Sequence, residues 1–355
     1  MVFCCIQSSV MKHFELLSVD IDSYSFVEGR PQIKYQNTTS KDEVDVLKMQ
    51  IEPVKRNVWR NAVRFTNPYE DVTRLCGNKI SRAYFKIREI MKDYDLEYEG
   101  IDKICTLHLC EGPGGFIHAM KDLRHKQKKQ LDWTGITLKN EKNDPNVPDF
   151  VSDIEMENVT YGSDGTGDLT KVENVKYLEE YMSHKGFAHL VTADGGFDVS
   201  SDHCSQEDQS YKLLLCQAVA ALQCQRLGGS FVMKAFDCYS NEMTELLYVL
   251  SIHYSQVFVT KPYSSRPCNS ERYIVCKGFL GKTREEADAL YYWMAGYASL
   301  VEQPSNAYID RLQNVNKICS EKQKSALMDT LAYAQKTQWI QRPKNMSHQF
   351  IRHYL

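Results

Sequence analysis

Alternating strand-like and helix-like runs predict an α/β three-layer domain, a central and mostly parallel sheet flanked by helices, over about Cys76 to Lys282. Three observations carry the prediction. The run through Ile104, Leu107 and Leu109 passes into Cys110-Glu111-Gly112-Pro113-Gly114-Gly115-Phe116, a strand, a glycine turn and the start of a helix. Phe187 to Thr192 is a second apolar run and ends in Ala193-Asp194-Gly195-Gly196. Ser230 to Phe236 is a third and holds Lys234 among apolar neighbours, where an ammonium is costly unless it snorkels to an edge.

Turns at the carboxyl ends of strands are where open α/β sheets bind ligands. Glycine there lets backbone approach a ligand closely, because no Cβ intrudes. The turn at Gly112 is more compact than G-x-G-x-x-G and carries a proline, which disfavours a dinucleotide fingerprint. By itself it fits a dinucleotide, a phosphate or a tight strand-to-helix connection.

In chain order, residues 1–52 read as an N-terminal extension with little regular structure and a polar stretch from Lys34 to Glu43. From Pro53 to Glu89, Lys and Arg outnumber the acids and are interleaved with Trp59, Phe65, Tyr69, Tyr84 and Phe85. That mixture suits a nucleic-acid surface, where phosphates want charge and bases want stacking, or a solvated amphipathic helix pair. Ala83, Ile87, Ile90 and Met91 give helical spacing over Ser81 to Tyr94. A helix over Ile117 to Lys129 follows the glycine turn, then a strand over Trp133 to Leu138, then a polar, glycine-rich loop from Tyr161 to Asp168. Tyr211 to Arg226 reads as a helix terminated by Gly228 and Gly229. A helix over Asn241 to His253 precedes strands at Gln256–Thr260 and Glu271–Lys277. The domain thus occupies residues 53–282. A C-terminal helical extension, 283–355, opens on the capping box Thr283-Arg284-Glu285-Glu286 and has a later helix beginning near Ser320.

The 355 residues carry a net charge of −3, so a polyanion partner needs a local surface. Twelve cysteines include no C-x-x-C pair and several sit in apolar runs, which disfavours a zinc site or a disulfide framework and suits a reducing compartment. Met1 to Ile6 is apolar but too short for a signal peptide, and no apolar run approaches the ~18 residues of a membrane span. An intracellular protein, nuclear or cytoplasmic, or carried in a virion if viral, with no membrane partner, is the expectation. The sequons at Asn37, Asn158 and Asn345 then carry no meaning.

Five segments in fixed order resemble one family. They are Arg82-Ala83-Tyr84-Phe85-Lys86, Glu111 to Phe116, Ala193-Asp194-Gly195-Gly196-Phe197, Val232-Met233-Lys234, and the long run Ser265-Arg266-Pro267-Cys268-Asn269-Ser270-Glu271-Arg272-Tyr273-Ile274-Val275-Cys276-Lys277-Gly278. Together they resemble the FtsJ-like ribose 2'-O-methyltransferases, and with Thr137-Leu138-Lys139 and Gly165-Thr166-Gly167-Asp168 they are most similar to mRNA cap-1 methyltransferases. Two positions depart from the pattern: His108 stands where Asp is usual, and Glu111 replaces a small residue. Neither removes a glycine.

The resemblance implies a Rossmann-like fold, S-adenosyl-L-methionine as methyl donor, and a catalytic tetrad of Lys86, Asp194, Lys234 and Glu271. It implies that Glu111, Gly112, Pro113, Gly114, Gly115 and Phe116 line the methionine side of the donor, with Asp194 nearby and Asp168 at the adenine end. The partner it implies is the capped 5' end of mRNA, with capping or transcription machinery as a further partner. Ribosomal or transfer RNA, the second cap nucleotide, and an inactive RNA-binding subunit are the alternatives.

These residue types suit the chemistry. A ribose hydroxyl is a poor nucleophile, so a base must take its proton as the methyl moves. A free lysine, with a pKa of ~10.4, is protonated at neutral pH. Desolvation of Lys234 in an apolar strand and the like charge of Lys86 are what this sequence offers to favour the neutral amine. Asp194 then aims Lys234, and Glu271 restrains Lys86 or Lys234. No metal is required. Cap recognition calls for aromatic stacking on a cationic base, with candidates in Trp59 to Tyr69 and Ser264 to Asn269.

Overall fold

The computed structural model describes residues 13–16, 26–27, 39–77, 79, 81–141, 144, 147–150, 155–196, 206–296, 299–300 and 304–355. Phe197, singled out in the sequence, lies outside them. In chain order the elements are β1 (His13–Leu16), β2 (Phe26–Val27), α1 (Thr39–Met49), α2 (Arg56–Thr66), α3 (Val72–Cys76), α4 (Ala83–Asp93), β3 (Lys103–Leu109), α5 (Gly115–Gln127), β4 (Gln130–Ile136), β5 (Val159–Thr160), α6 (Val172–His184), β6 (Ala188–Ala193) and α7 (Gln206–Cys224). They continue with β7 (Gln225–Ala235), α8 (Asn241–His253), β8 (Tyr254–Thr260), β9 (Arg272–Phe279), α9 (Arg284–Met294), β10 (Ser299–Leu300), α10 (Asn306–Gln335) and α11 (Ser347–Tyr354).

Eight strands form one sheet in the order β1-β8-β9-β7-β6-β3-β4-β5. β3 to β7 run parallel, β9 is antiparallel to both β7 and β8, and β1 closes the β8 edge antiparallel. This is a Rossmann-like arrangement. β3 is buried from Ile104 through Leu109 because helices cover both faces, which is why it reads as a continuous apolar run.

Side chains alternate across the sheet with period two, and that parity divides the core. Val191, Ala193, Phe231, Met233, Ile274 and Cys276 pack with α6 to α10 on one face. Leu190, Val232, Tyr273 and Val275 pack with α4, α5 and α11 on the other. A third cluster joins Val44, Ile51 and Val63 of the N-terminal segments to Leu327 and Leu331 of α10.

Three expectations need correcting. The polar stretch ending at Glu43 is not irregular throughout, since α1 begins at Thr39. Gly228 and Gly229 do not end a helix: α7 stops at Cys224 and β7 begins at Gln225, so the glycines lie in a register irregularity of the strand. The helix expected near Ser320 begins fourteen residues earlier, at Asn306, where the Ser305 hydroxyl accepts from the Tyr308 amide at 3.2 Å and Tyr308, Leu312 and Val315 are buried. The Thr283 capping box is present in both directions. Among the described residues no helix is long and apolar enough to cross a membrane.

Candidate active site

Strand parity gathers four charged residues. Asp194 follows β6 and shares parity with Leu190, Lys234 shares it with Val232, and Glu271, just ahead of β9, shares it with Tyr273. All three therefore face the layer that contains α4, and α4 brings Lys86. That helix buries Tyr84, Phe85, Ile87, Ile90 and Met91, which fixes its rotation. The register completes the placement: Ala193 pairs with Met233, and Lys234 lies opposite Tyr273.

The four form two linked pairs. The Lys86 ammonium reaches Glu271 Oε1 at 2.7 Å and donates to Oε2 at 2.8 Å. Lys234 Nζ donates to the Asp194 carbonyl at 2.5 Å and lies 3.3 Å from Asp194 Oδ1. The Tyr273 hydroxyl donates to the same Oδ1 at 3.4 Å, so β9 touches both pairs two residues apart. Burial pushes the Glu271 carboxyl up, but the charges of Lys86 and Lys234, the Lys86 hydrogen bond and Lys261 outweigh burial and bring it down to about 2. Both lysines thus act on one carboxylate. Ser265 Oγ adds a hydrogen bond to Glu271 Oε1 at 2.9 Å.

Sequence reasoning missed Lys261. Its ammonium donates to the Asn269 carbonyl (2.6 Å), Asn269 Oδ1 (2.7 Å) and the Glu271 carbonyl (2.8 Å). Burial lowers it to about 8 against the pull of Glu271. The one available signal is its position, directly after β8 and before Pro262, where a loop must turn back to β9.

The glycine turn lies next to this cluster. The Asp194 amide donates to the Leu109 carbonyl at 3.3 Å. Gly114 has φ +105° and opens α5, a conformation that L side chains rarely adopt. At Gly112 a Cβ would lie 2.0 Å from the Pro148 carbonyl oxygen. Of the six turn residues, Gly112 and Pro113 present surface, whereas Gly114, Gly115 and Phe116 are packed away. Glu111 is buried as well and points inward. His108 Nδ1 lies 3.0 Å from its Oε2, Thr192 Oγ1 donates to its Oε1, and His108 Nδ1 is 2.8 Å from Thr192 Oγ1. Burial raises its carboxyl. The two departures at His108 and Glu111 are therefore partners of each other, knitting β3 to β6 beneath the turn.

Asp168 sits farther along the crevice, past the carboxyl end of β4. Its Oδ1 accepts from the Thr170 amide (2.9 Å) and hydroxyl (2.7 Å), and its amide donates to Thr166 Oγ1 at 3.2 Å. With Leu138, Lys139, Thr166 and Lys171 it lines a cleft of ≈ 380 Å³. Neighbouring Asp164 binds Lys171, Thr166 and Asn174, and the Lys171 hydrogen bond leads the causes that hold its carboxyl well below the usual range.

A second cavity of ≈ 270 Å³ brings together the two stretches expected to hold an aromatic-stacked base. Trp59 and Arg60 of α2 line it with Arg266, Cys268 and Asn269. Lys48 and Gln323 complete it from the two extensions, where sequence gave no sign of them.

A family model described as FtsJ-like methyltransferase matches residues 80–279. The chain belongs to the FtsJ-like methyltransferase family. It is 38% identical over 180 residues to cap-specific mRNA (nucleoside-2'-O-)-methyltransferase 1 of Trypanosoma brucei brucei, covering 50% of this chain and 47% of that one. To the enzyme of the same name from Mus musculus it is 39% identical over 191 residues, 52% of this chain and 22% of that one. Cap-specific mRNA (nucleoside-2'-O-)-methyltransferase 2 of Mus musculus is 30% identical over 258 residues, 68% of this chain and 34% of that one. The chain thus spans between about a fifth and a half of the length of these relatives. In this FtsJ-like methyltransferase the four charged residues, the glycine turn and Asp168 all fall inside the family match, whereas Lys48, Trp59, Arg60 and Gln323 fall outside it.

Proposed function

We propose that this FtsJ-like protein transfers a methyl group from S-adenosyl-L-methionine to the 2'-hydroxyl of the first transcribed nucleotide of capped mRNA. The observation that carries the proposal is the meeting of Lys86, Asp194, Lys234 and Glu271 on one sheet face, beside the glycine turn.

The residues fit such a donor. Asp168 has one oxygen held by Thr170, leaving the other to accept from a ribose hydroxyl or an amine at the ≈ 380 Å³ cleft. Gly112 and Pro113 are the turn residues that present surface, and Gly112 offers backbone without a Cβ. When bound, S-adenosyl-L-methionine supplies a methyl on a sulfonium whose thioether is a good leaving group.

The chain's own residues supply orientation and proton removal. Lys234 Nζ takes the ribose proton as the oxygen attacks, and Asp194 aims that amine through its carbonyl and Oδ1. Glu271 stays ionised at physiological pH and pins Lys86, and its carboxyl is held low by the charges of both Lys86 and Lys234. Orientation of oxygen, methyl and sulfur in such a site can lower a barrier by ~7–11 kcal/mol at best. The cavity at Trp59, Arg60, Arg266 and Asn269 would hold the cap: the indole stacks on a cationic base and the cations meet the phosphates.

The experiment is methyl transfer from labelled donor to short RNA that is capped, triphosphate-ended, or capped and already methylated at the first ribose. Transfer to the capped RNA alone supports the proposal. Transfer to the pre-methylated RNA moves the site to the second nucleotide. Preference for uncapped structured RNA removes the cap from the account.

A further inference from the structure

One strongly charged surface runs on from the cavity of Trp59 and Arg266, with Arg56 and Arg60 shared between the two. Residues 53–66 and 330–344 are distant in the chain. Together they carry seven Lys and Arg and no Asp or Glu, in a protein whose net charge is −3. The fold brings them side by side. Phe65 stacks on Tyr333 with ring centroids 4.0 Å apart and planes 16° apart, the Thr66 and Thr330 hydroxyls are 3.0 Å apart, and the Arg342 guanidinium lies 5.9 Å over the Phe65 ring. Arg56, Arg60 and Arg64 follow at four-residue spacing along the exposed side of α2. Lys336, Arg342 and Lys344 are exposed beyond the end of α10. Acids border the surface: Glu52 and Asp329 immediately precede its two spans, Glu70 lies 3.8 Å from Arg64, and Asp71 feels Arg342 but is already hydrogen-bonded to Arg74 and Asn345.

In the midst of the later cations stands Trp339, 83% exposed. Exposure of an indole to that degree leaves a large apolar face without a protein partner. We propose that this surface binds single-stranded RNA, the body of the transcript outside the reaction centre. Cations at spaced intervals suit a run of phosphates, and a flat exposed indole suits an unstacked base. An acidic peptide would use the charges but has no need of the ring. The inference rests on the proposed function only for which RNA is bound. Both halves of the surface lie outside the family match at 80–279.

The test is fluorescence anisotropy of labelled uncapped oligouridine with the full chain, over a range of salt, for the wild type, Trp339→Ala and the triple variant Lys336→Gln/Arg342→Gln/Lys344→Gln. In the triple variant the slope of log affinity against log salt should fall by about 2, at ~0.7 per lost phosphate contact. Trp339→Ala should weaken binding about five-fold or more, in keeping with one lost base stack. Turnover of a capped dinucleotide should be unchanged in both variants, because Lys336, Trp339, Arg342 and Lys344 line neither the reaction centre nor the proposed cap cavity, and this also shows that the variants fold. Unchanged affinity and slope in both variants overturn the proposal, as does polyglutamate competing as well as oligouridine. If the triple variant fails to fold, the Trp339→Ala result decides alone. If the dinucleotide is not methylated by the wild type, the cap reading fails while the oligouridine measurement still stands.

Discussion

The two ends of the crevice are built by different means. At the β6–β7–β9 end, four charged side chains arrive from positions 86, 194, 234 and 271, and the contacts among the four all join residues 40 or more apart in sequence. At the β4 end, Asp168 is held by Thr166 and Thr170, each two residues away. The first exists only once β7 has registered against β6 and β9, because a slip of one residue would turn Lys234 to the opposite face. The second is a local loop that folds around its own side chains. In the proposed mechanism, proton transfer falls to the part of the molecule that demands the whole fold, and donor affinity to the part that does not.

Variants at the two ends should therefore fail differently. Lys234→Ala removes the proposed proton acceptor, and kcat should drop by roughly 10²–10⁴-fold while donor affinity measured by calorimetry changes little. A kcat within a few-fold of wild type would remove Lys234 from the role of base. Asp168→Ala, at the local end, should raise the donor KM by about ten-fold or more, the worth of one hydrogen bond to a charged group, and leave kcat largely intact. A kcat loss without a KM change would erase the distinction between the two ends.

Titration sharpens the comparison, because the ionic end depends on pH in a stated direction. Glu271 is held at about 2, below the ~4.3 of an unfolded glutamate, so the folded state binds fewer protons between those values. Its stabilising contribution is present above pH ~4.3 and is lost as pH falls toward 2. Glu271→Gln should flatten that acid limb in urea unfolding measured between pH 5 and pH 2, and an unaltered limb would show that its carboxylate is not held by the two lysines. The smallest effect is expected at Lys261. Lowered to about 8 from ~10.4, it makes the unfolded chain bind more protons between those values, so stability should rise with pH across that window. Lys261→Met should remove that rise, worth roughly 1–3 kcal/mol, and should also loosen the loop that carries Asn269 and Glu271. A rise that persists in the variant would assign it to another group.

The same contrast governs what could be read from sequence. Strands buried on both faces, β3 and β7 above all, announce themselves as apolar runs, and an acid or lysine at their ends stands out against that background. Identity alone could not give the parity of Asp194, Lys234 and Glu271, which depends on strand register, although their segments resemble one family. Gly228 and Gly229 misled because glycine after a helical run signals a cap, whereas here the helix had already ended and the strand tolerated the irregularity. The first half of α10 was overlooked because Asn316 interrupts its apolar face, where it is buried to receive Arg272 and reach the Cys238 carbonyl. β1 is four residues of an extension and takes its meaning from the β8 edge it covers. The Glu111 side chain meets His108 and Thr192, contacts that only the pairing of β3 with β6 creates.

The most direct measurement uses two capped RNAs that differ in one atom, with a ribose or a 2'-deoxyribose at the first transcribed nucleotide. With labelled methyl donor and wild-type protein, label should enter the ribose form and be absent from the deoxy form. Equal labelling of both would mean that the methyl goes elsewhere, and that Lys86, Asp194, Lys234 and Glu271 do not serve that hydroxyl.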